Sequence, residues 1–93
     1  MARAKAKHIL VETENKCEEL KKRIEGGEDF GKVAKEFSKC PSGRQGGDLG
    51  EFSRGEMVPE FDKVVFSADI GKVQGPIKTA FGYHLLIVTD RKD

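Results

Sequence analysis

Two segments, one near each end of the chain, have the hydrophobic patterns of buried strands. Residues 4–11 (AKAKHILV) begin in polar–apolar alternation and end in an apolar, β-branched run, which predicts a strand buried in its second half. Residues 83–89 (YHLLIVT) form the most hydrophobic strand pattern and are long enough for the centre of a sheet. We therefore expect these two strands to pair side by side at the centre.

Three segments between these strands repeat apolar residues every three or four positions, as amphipathic helices do. The first ends at the glycine pair 26–27, and the second opens with Asp29 as a helix cap. Pro59 suits the first turn of the third, where its missing N–H would be unpaired in any case. The predicted helices are residues 14–24, 29–37 and 59–67.

The remaining segments are rich in glycine and predict loops and weaker strands. Residues 38–47 predict a loop that has room for a short extra helix, and residues 48–53 predict a short edge strand. Residues 73–79 contain Gly75-Pro76 and predict a bent strand at a sheet edge. The element order βααβαββ indicates an α+β domain with a small, mainly antiparallel sheet.

Length and composition indicate one globular domain over residues 1–93. Hydrophobic residues make up 37% and charged residues 35% of the chain, and no apolar run approaches the ~20 residues that cross a bilayer. The apolar stretch near the start is too short for a signal peptide, so we expect a cytoplasmic protein without membrane contact. The alternative that the chain is a domain of a longer exported protein stays open. The net charge of +1 comes from interspersed charges, which argues against nucleic-acid binding.

Candidate chemistry lies in the two histidines and in the cysteines. His8 and His84 are the only histidines and lie in the two strongest strands, so they can face each other across neighbouring strands. Cys17 lies on a helical apolar stripe and is interpreted as a packing residue, whereas Cys40 lies in the loop. These four residues lie singly, without Cys-x-x-Cys or His-x₃-His spacing, so we expect no metal. Met57 and Phe61 fit either the core or an apolar pocket.

Several motifs together resemble the parvulin-type peptidyl-prolyl cis/trans isomerases. They are His8-Ile9-Leu10-Val11, the run GGDLGEFSRGEMVPEFDKVVF, and the segment from Gly75 to His84. The resemblance covers residues 8–88 in the family's order. It implies a parvulin-like (FKBP-like) fold with a four-stranded antiparallel sheet surrounded by helices. It implies the catalytic residues His8, Cys40, Thr79 and His84, and the proline-binding residues Leu49, Met57, Phe61 and Phe81.

The resemblance implies rotamase activity on proline-containing peptides and unfolded protein clients, by a monomer without a cofactor. Phosphate-directed parvulins carry Lys and Arg after the first strand, whereas this chain has the acidic segment Glu12-Thr13-Glu14-Asn15. We therefore expect an isomerase that needs no phosphate and prefers an uncharged or apolar residue before proline. For Cys40 we favour an electrostatic or hydrogen-bonding role over covalent attack, which would need a thiolate.

Two hypotheses from other classes stay open at this point. A non-catalytic binder or chaperone of proline-containing or unfolded segments would use the same apolar residues and would tolerate loss of the histidines. A Cys–His hydrolase built on Cys40 lacks an evident oxyanion hole, and Pro41 removes one backbone donor beside it.

Overall fold

The structure is a computed structural model that describes residues 2–92, and its elements follow the predicted order. A short 3₁₀ helix, Pro41–Gln45, occupies the loop in which room for an extra helix was predicted. Among residues 2–92, no helix is both long and apolar enough to cross a membrane. The strands and helices are β1 Arg3–Val11, α1 Glu14–Glu25, α2 Phe30–Phe37, β2 Asp48–Ser53, α3 Pro59–Val65, β3 Val73–Thr79 and β4 Gly82–Lys92.

Two predicted ends are corrected by tertiary contacts. β4 runs to Lys92 rather than residue 89, because its polar end pairs with the start of β1, with Arg3 opposite Lys92. α3 ends at Val65 rather than near residue 67. The guanidinium of Arg91 donates hydrogen bonds to the carbonyl oxygens of Val65, the last residue of the helix, and of Ala68 beyond it, 3.0 and 2.6 Å away.

The sheet is antiparallel and has the strand order β2-β1-β4-β3, which confirms that the first and last strands are central. Alternate residues of these strands enter two apolar cores, one on each face. The core beneath α1 and α2 contains Ile9, Val11, Cys17, Leu20, Phe30, Val33, Ala34 and Leu85. The core beneath α3 contains Ala4, Ala6, Phe52, Val65, Leu86 and Val88. Cys17 is fully buried, as its position on the apolar stripe predicted.

The predicted bend in β3 is a shift of register against β4 between Gln74 and Ile77. Val73 packs against the α1–α2 core, but Ile77 packs against the α3 core, although the two residues are four positions apart. A regular strand would keep both on one face. The bend therefore turns the end of β3, including Thr79, toward the α3 face.

The loop between α2 and β2 is attached to β1 at both of its ends. The Lys39 N–H donates to the Leu10 carbonyl at 2.8 Å, and the His8 N–H donates to the Gly47 carbonyl at 2.9 Å. The Ser38 hydroxyl accepts from the Leu10 N–H at 3.1 Å. These bonds hold the 3₁₀ helix over the same strand that carries His8.

Replacing Gly47 by Ala should destabilise the fold much more than replacing Gly50. Both glycines have left-handed φ angles, +82° and +72°, so either alanine costs about 1–2 kcal/mol of strain. A Cβ on Gly47 would also lie 2.2 Å from the His8 carbonyl oxygen, whereas one on Gly50 meets nothing within 4 Å. Urea unfolding should therefore place G47A at least about 1 kcal/mol below G50A in free energy of unfolding. Equal losses of free energy of unfolding in G47A and G50A would show that the close approach of Gly47 to the His8 backbone has no effect on stability.

Candidate active site

A cavity of about 370 Å³ lies on the α3 side of the sheet, between β1, β4, α3 and the loop. This volume is within the usual range for small-ligand sites. All eight residues that the sequence nominated line it: His8, Cys40, Leu49, Met57, Phe61, Thr79, Phe81 and His84. The structure therefore brings together residues that lie up to 76 positions apart in the chain.

The two histidines lie on one face of the central strand pair. Their positions are diagonal rather than opposite, because His84 pairs with Leu10 and His8 pairs with Leu86. The imidazole rings stack with centroids 5.5 Å apart and an angle of 14° between planes. Their Nδ1 atoms are 3.3 Å apart, within hydrogen-bonding distance. Both side chains are buried, with 6% and 4% of their surface exposed.

The histidine pair is the middle of a chain of five hydrogen-bonded side chains. On one side, Thr79 Oγ1 lies 2.7 Å from His84 Nε2. On the other side, His8 Nε2 lies 2.9 Å from Ser42 Oγ, and Ser42 donates to Cys40 Sγ at 3.3 Å. The chain thus connects β3, β4, β1 and the 3₁₀ helix across the floor of the cavity.

The hydrogen-bond partners determine which ring nitrogen carries each proton. The Phe81 N–H donates to Thr79 Oγ1 at 3.2 Å, and the Thr79 hydroxyl then donates to His84 Nε2. His84 in turn donates from Nδ1 to His8 Nδ1, and His8 donates from Nε2 to Ser42. If His84 Nε2 instead donated to Thr79 Oγ1, the hydroxyl proton of Thr79 would have no acceptor among residues 2–92. With Thr79 as the donor, each buried polar atom of the five hydrogen-bonded side chains has a partner.

Burial keeps both histidines neutral. It lowers the pKa of His8, and it lowers the pKa of His84 to about 4, with a further contribution from a charge on His8. Phe61 contributes to this burial, because its ring packs edge-on against both imidazole rings. The ring centroid of Phe61 lies 4.6 Å from that of His84 and 5.6 Å from that of His8. Two protonated rings would also place two N–H groups face to face at the Nδ1 contact.

The other wall of the cavity is apolar. Phe61 is buried, Leu49 and Met57 are half-buried, and Phe81 is 73% exposed at the rim. Leu10, Pro41 and Val58 extend this wall and were not predicted. Among the residues that the structure describes, no cluster of His, Cys, Asp and Glu could hold a metal ion.

Ser42 is the member of the hydrogen-bonded chain that sequence reasoning missed. It follows Cys40 by two positions, and the 3₁₀ helix turns both side chains toward the same point. A hydroxyl close to a loop cysteine was the one available signal.

The thiols of Cys17 and Cys40 differ in environment. Burial raises the pKa of the Cys17 thiol to about 11, whereas Cys40 is half-buried and lines the cavity.

Comparison with known proteins identifies similar sequences over nearly the whole chain. The family model "Rotamase: PPIC-type PPIASE domain" matches residues 2–90. The foldase protein PrsA of Halalkalibacterium halodurans is 48% identical over 89 residues, which are 95% of this chain and 27% of that protein. The chain thus spans about a third or less of the length of the curated relatives it matches.

Solved structures share the fold. A crystal structure of PrsA from Bacillus anthracis has a TM-score of 0.95 and 40% identity, and the match covers 99% of this chain and 43% of that one. The solution structure of NmPin, the parvulin of Nitrosopumilus maritimus, has a TM-score of 0.87 and 36% identity. That match covers 97% of this chain and 98% of the parvulin, so the two chains have nearly the same extent.

Acid should destabilise the protein through the buried histidines. An unfolded histidine titrates at about 6.5, whereas folded His84 titrates at about 4, so the unfolded state binds more protons between these values. The histidine contribution to stability is therefore complete above pH 6.5 and is lost as the pH falls toward 4. Urea unfolding should show a loss of about 1 kcal/mol per pH unit between pH 6 and 5. The H84Q variant should have a clearly smaller slope, and an equal slope would contradict the neutral pair.

Proposed function

Because the chain belongs to the family of PPIC-type peptidyl-prolyl cis/trans isomerases, the rotamases, we propose that this cavity is where it accelerates rotation about Xaa-Pro bonds. The observation that carries the proposal is one cavity with an apolar wall on one side and a buried, neutral hydrogen-bonded chain on the other. The substrates are proline-containing peptides and unfolded proteins.

The apolar wall lowers the energy barrier to rotation about the Xaa-Pro bond. Amide resonance gives the Xaa-Pro bond double-bond character and a barrier of about 18–20 kcal/mol, so uncatalysed exchange takes tens of seconds. Twisting the bond removes the resonance and reduces the charge separation of the amide. Leu49, Met57 and Phe61 hold the proline ring in surroundings that favour this less polar, twisted state.

The hydrogen-bonded chain positions the part of the substrate that moves. With the ring held, the carbonyl before proline swings beside His8, His84 and Cys40, which form the floor of the cavity. Thr79 acts through His84, and Ser42 acts through His8, by holding each ring in one orientation and one tautomer. No bond of the substrate is broken.

Cys40 contributes as a polar group rather than as a nucleophile. Its sulfur accepts a hydrogen bond from Ser42, and within residues 2–92 no hydrogen bond joins it directly to a histidine that would remove its proton. Activating a thiol for attack requires such a base or another means of forming the thiolate.

The isomerase is one domain over residues 1–93 and needs no phosphate before proline. Glu12 and Glu14 are exposed where phosphate-directed relatives of the parvulin type carry basic residues, so this segment supplies no cation that would bind a phosphate. The cytoplasmic location and the monomeric state expected from the sequence stay predictions.

Truncating Met57 to Ala should lower kcat/KM by roughly tenfold, mainly through KM, because the proline ring loses one apolar wall. NMR exchange spectroscopy on Ala-Leu-Pro-Phe measures the rate without a coupling protease. Val64 is the matched control, since it is also half-buried against the α3 core but does not line the cavity. V64A should lose stability and keep kcat/KM. Equal losses of activity in both variants would show that the proline ring binds elsewhere.

Replacing Cys40 by Asp should retain activity within about tenfold, because a polar role survives the change of residue whereas a nucleophilic thiol role does not. The same exchange assay should compare C40D with a variant in which His8, His84 and Cys40 are all alanine. If C40D falls to the level of that triple variant, the thiol acts covalently and the polar role is wrong.

A further inference from the structure

The proline cavity has one charged residue in its lining among residues 2–92, and that residue is Lys39. Lys39, Cys40 and Pro41 also border a second hollow of about 580 Å³, which adjoins the cavity at these residues. The cations Lys35 and Arg44 line this second hollow, and no carboxylate does. We call Lys35, Lys39 and Arg44 the cationic rim.

The cationic rim is not neutralised by the protein. The ion pairs of the described residues all lie elsewhere, and none includes a member of the rim. The nearby carboxylates, Glu12 and Glu36, line a third hollow on another side of Lys39, which also contains Lys16. All three rim side chains are exposed, so each can approach a bound peptide.

The mechanism proposed above determines which part of a substrate meets this rim. The proline ring lies against Leu49, Met57 and Phe61, and the carbonyl before it swings beside Cys40 and the histidines. The residue that bears this carbonyl therefore lies at the Cys40 end of the cavity, next to Lys39.

We propose that the cationic rim selects substrates with an acidic side chain before proline, and that Lys39 is its main specificity-determining residue. A carboxylate of Asp or Glu is sufficient, and phosphate is not required. This inference rests on the proposed function, since it assumes that Xaa-Pro peptides occupy the cavity. It replaces the expectation that an uncharged residue is preferred, which was drawn from Glu12 and Glu14.

That expectation gave weight to closeness in sequence. The loop folds back on β1, where the Lys39 N–H bonds to the Leu10 carbonyl at 2.8 Å, so a cation borders the cavity from a distant part of the chain. Glu14 lines neither the cavity nor the two hollows beside it. Exposed ion pairs are weak individually, so we expect a preference of about twofold to fivefold rather than an absolute requirement.

NMR exchange spectroscopy on Ala-Xaa-Pro-Phe peptides, with Xaa as Glu or its neutral isostere Gln, tests the inference. Wild-type kcat/KM should favour Glu over Gln by about twofold to fivefold at low salt, and the ratio should approach one at high salt. The ratio should fall toward one in K39Q and fall below one in K39E. Lys32 is the matched control, because it is an exposed lysine on α2 that borders none of these hollows, so K32Q should keep the wild-type ratio.

The possible outcomes separate the inference from the function on which it rests. If wild type isomerises neither peptide, the proposed function is wrong. If it isomerises both at equal rates, or if the Glu preference survives in K39Q, the rim does not select and the inference is overturned. A preference for Glu after rather than before proline contradicts the assigned direction of the peptide. Acceleration of a phosphoserine peptide without any preference for Glu over Gln contradicts the claim that a carboxylate is sufficient.

Discussion

The contact between His8 Nδ1 and His84 Nδ1 leaves room for one proton between the two rings, and this constraint governs the site. One nitrogen must donate and the other must accept, so the second nitrogen of each ring needs a partner of the complementary kind. Thr79 and Ser42 supply those partners. A missing partner would leave a buried polar group unsatisfied, at a cost of about 1–3 kcal/mol.

The fold meets this constraint with elements that are distant in sequence. The central strand pair places the two rings diagonally on one face, and the register shift in β3 turns Thr79 toward them. The two attachments of the loop to β1 bring Ser42 within reach of His8. Phe61 of α3 then covers both rings and removes them from water. The glycine-rich loop and the bent edge strand are thus parts of the site rather than irregular connections.

Local patterns were sufficient to predict the central strands, because the period and hydrophobicity of a strand depend only on its own residues. The shared face of the two histidines was an expectation that followed from pairing these strands, and it depends on the register between them. The orientation of Thr79 depends on a register shift, and the role of Ser42 depends on a 3₁₀ helix, so neither follows from a pattern along one element. Thr79, Leu49 and Phe81 were nominated by family resemblance alone. Lys39 was missed because tertiary folding, not sequence distance, places it at the cavity.

The neutral state of the histidine pair is consistent with catalysis by twisting. In the planar amide, resonance places negative charge on the carbonyl oxygen, and twisting the bond removes part of that charge. A cation in hydrogen-bonding contact with this oxygen would therefore stabilise the planar ground state more than the transition state, and would slow the reaction. Burial avoids this by lowering the pKa of both rings, so that only neutral donors and acceptors line the floor of the cavity. Positive charge is compatible with the mechanism only at the rim, where Lys39 can attract a side chain without holding the carbonyl that must swing.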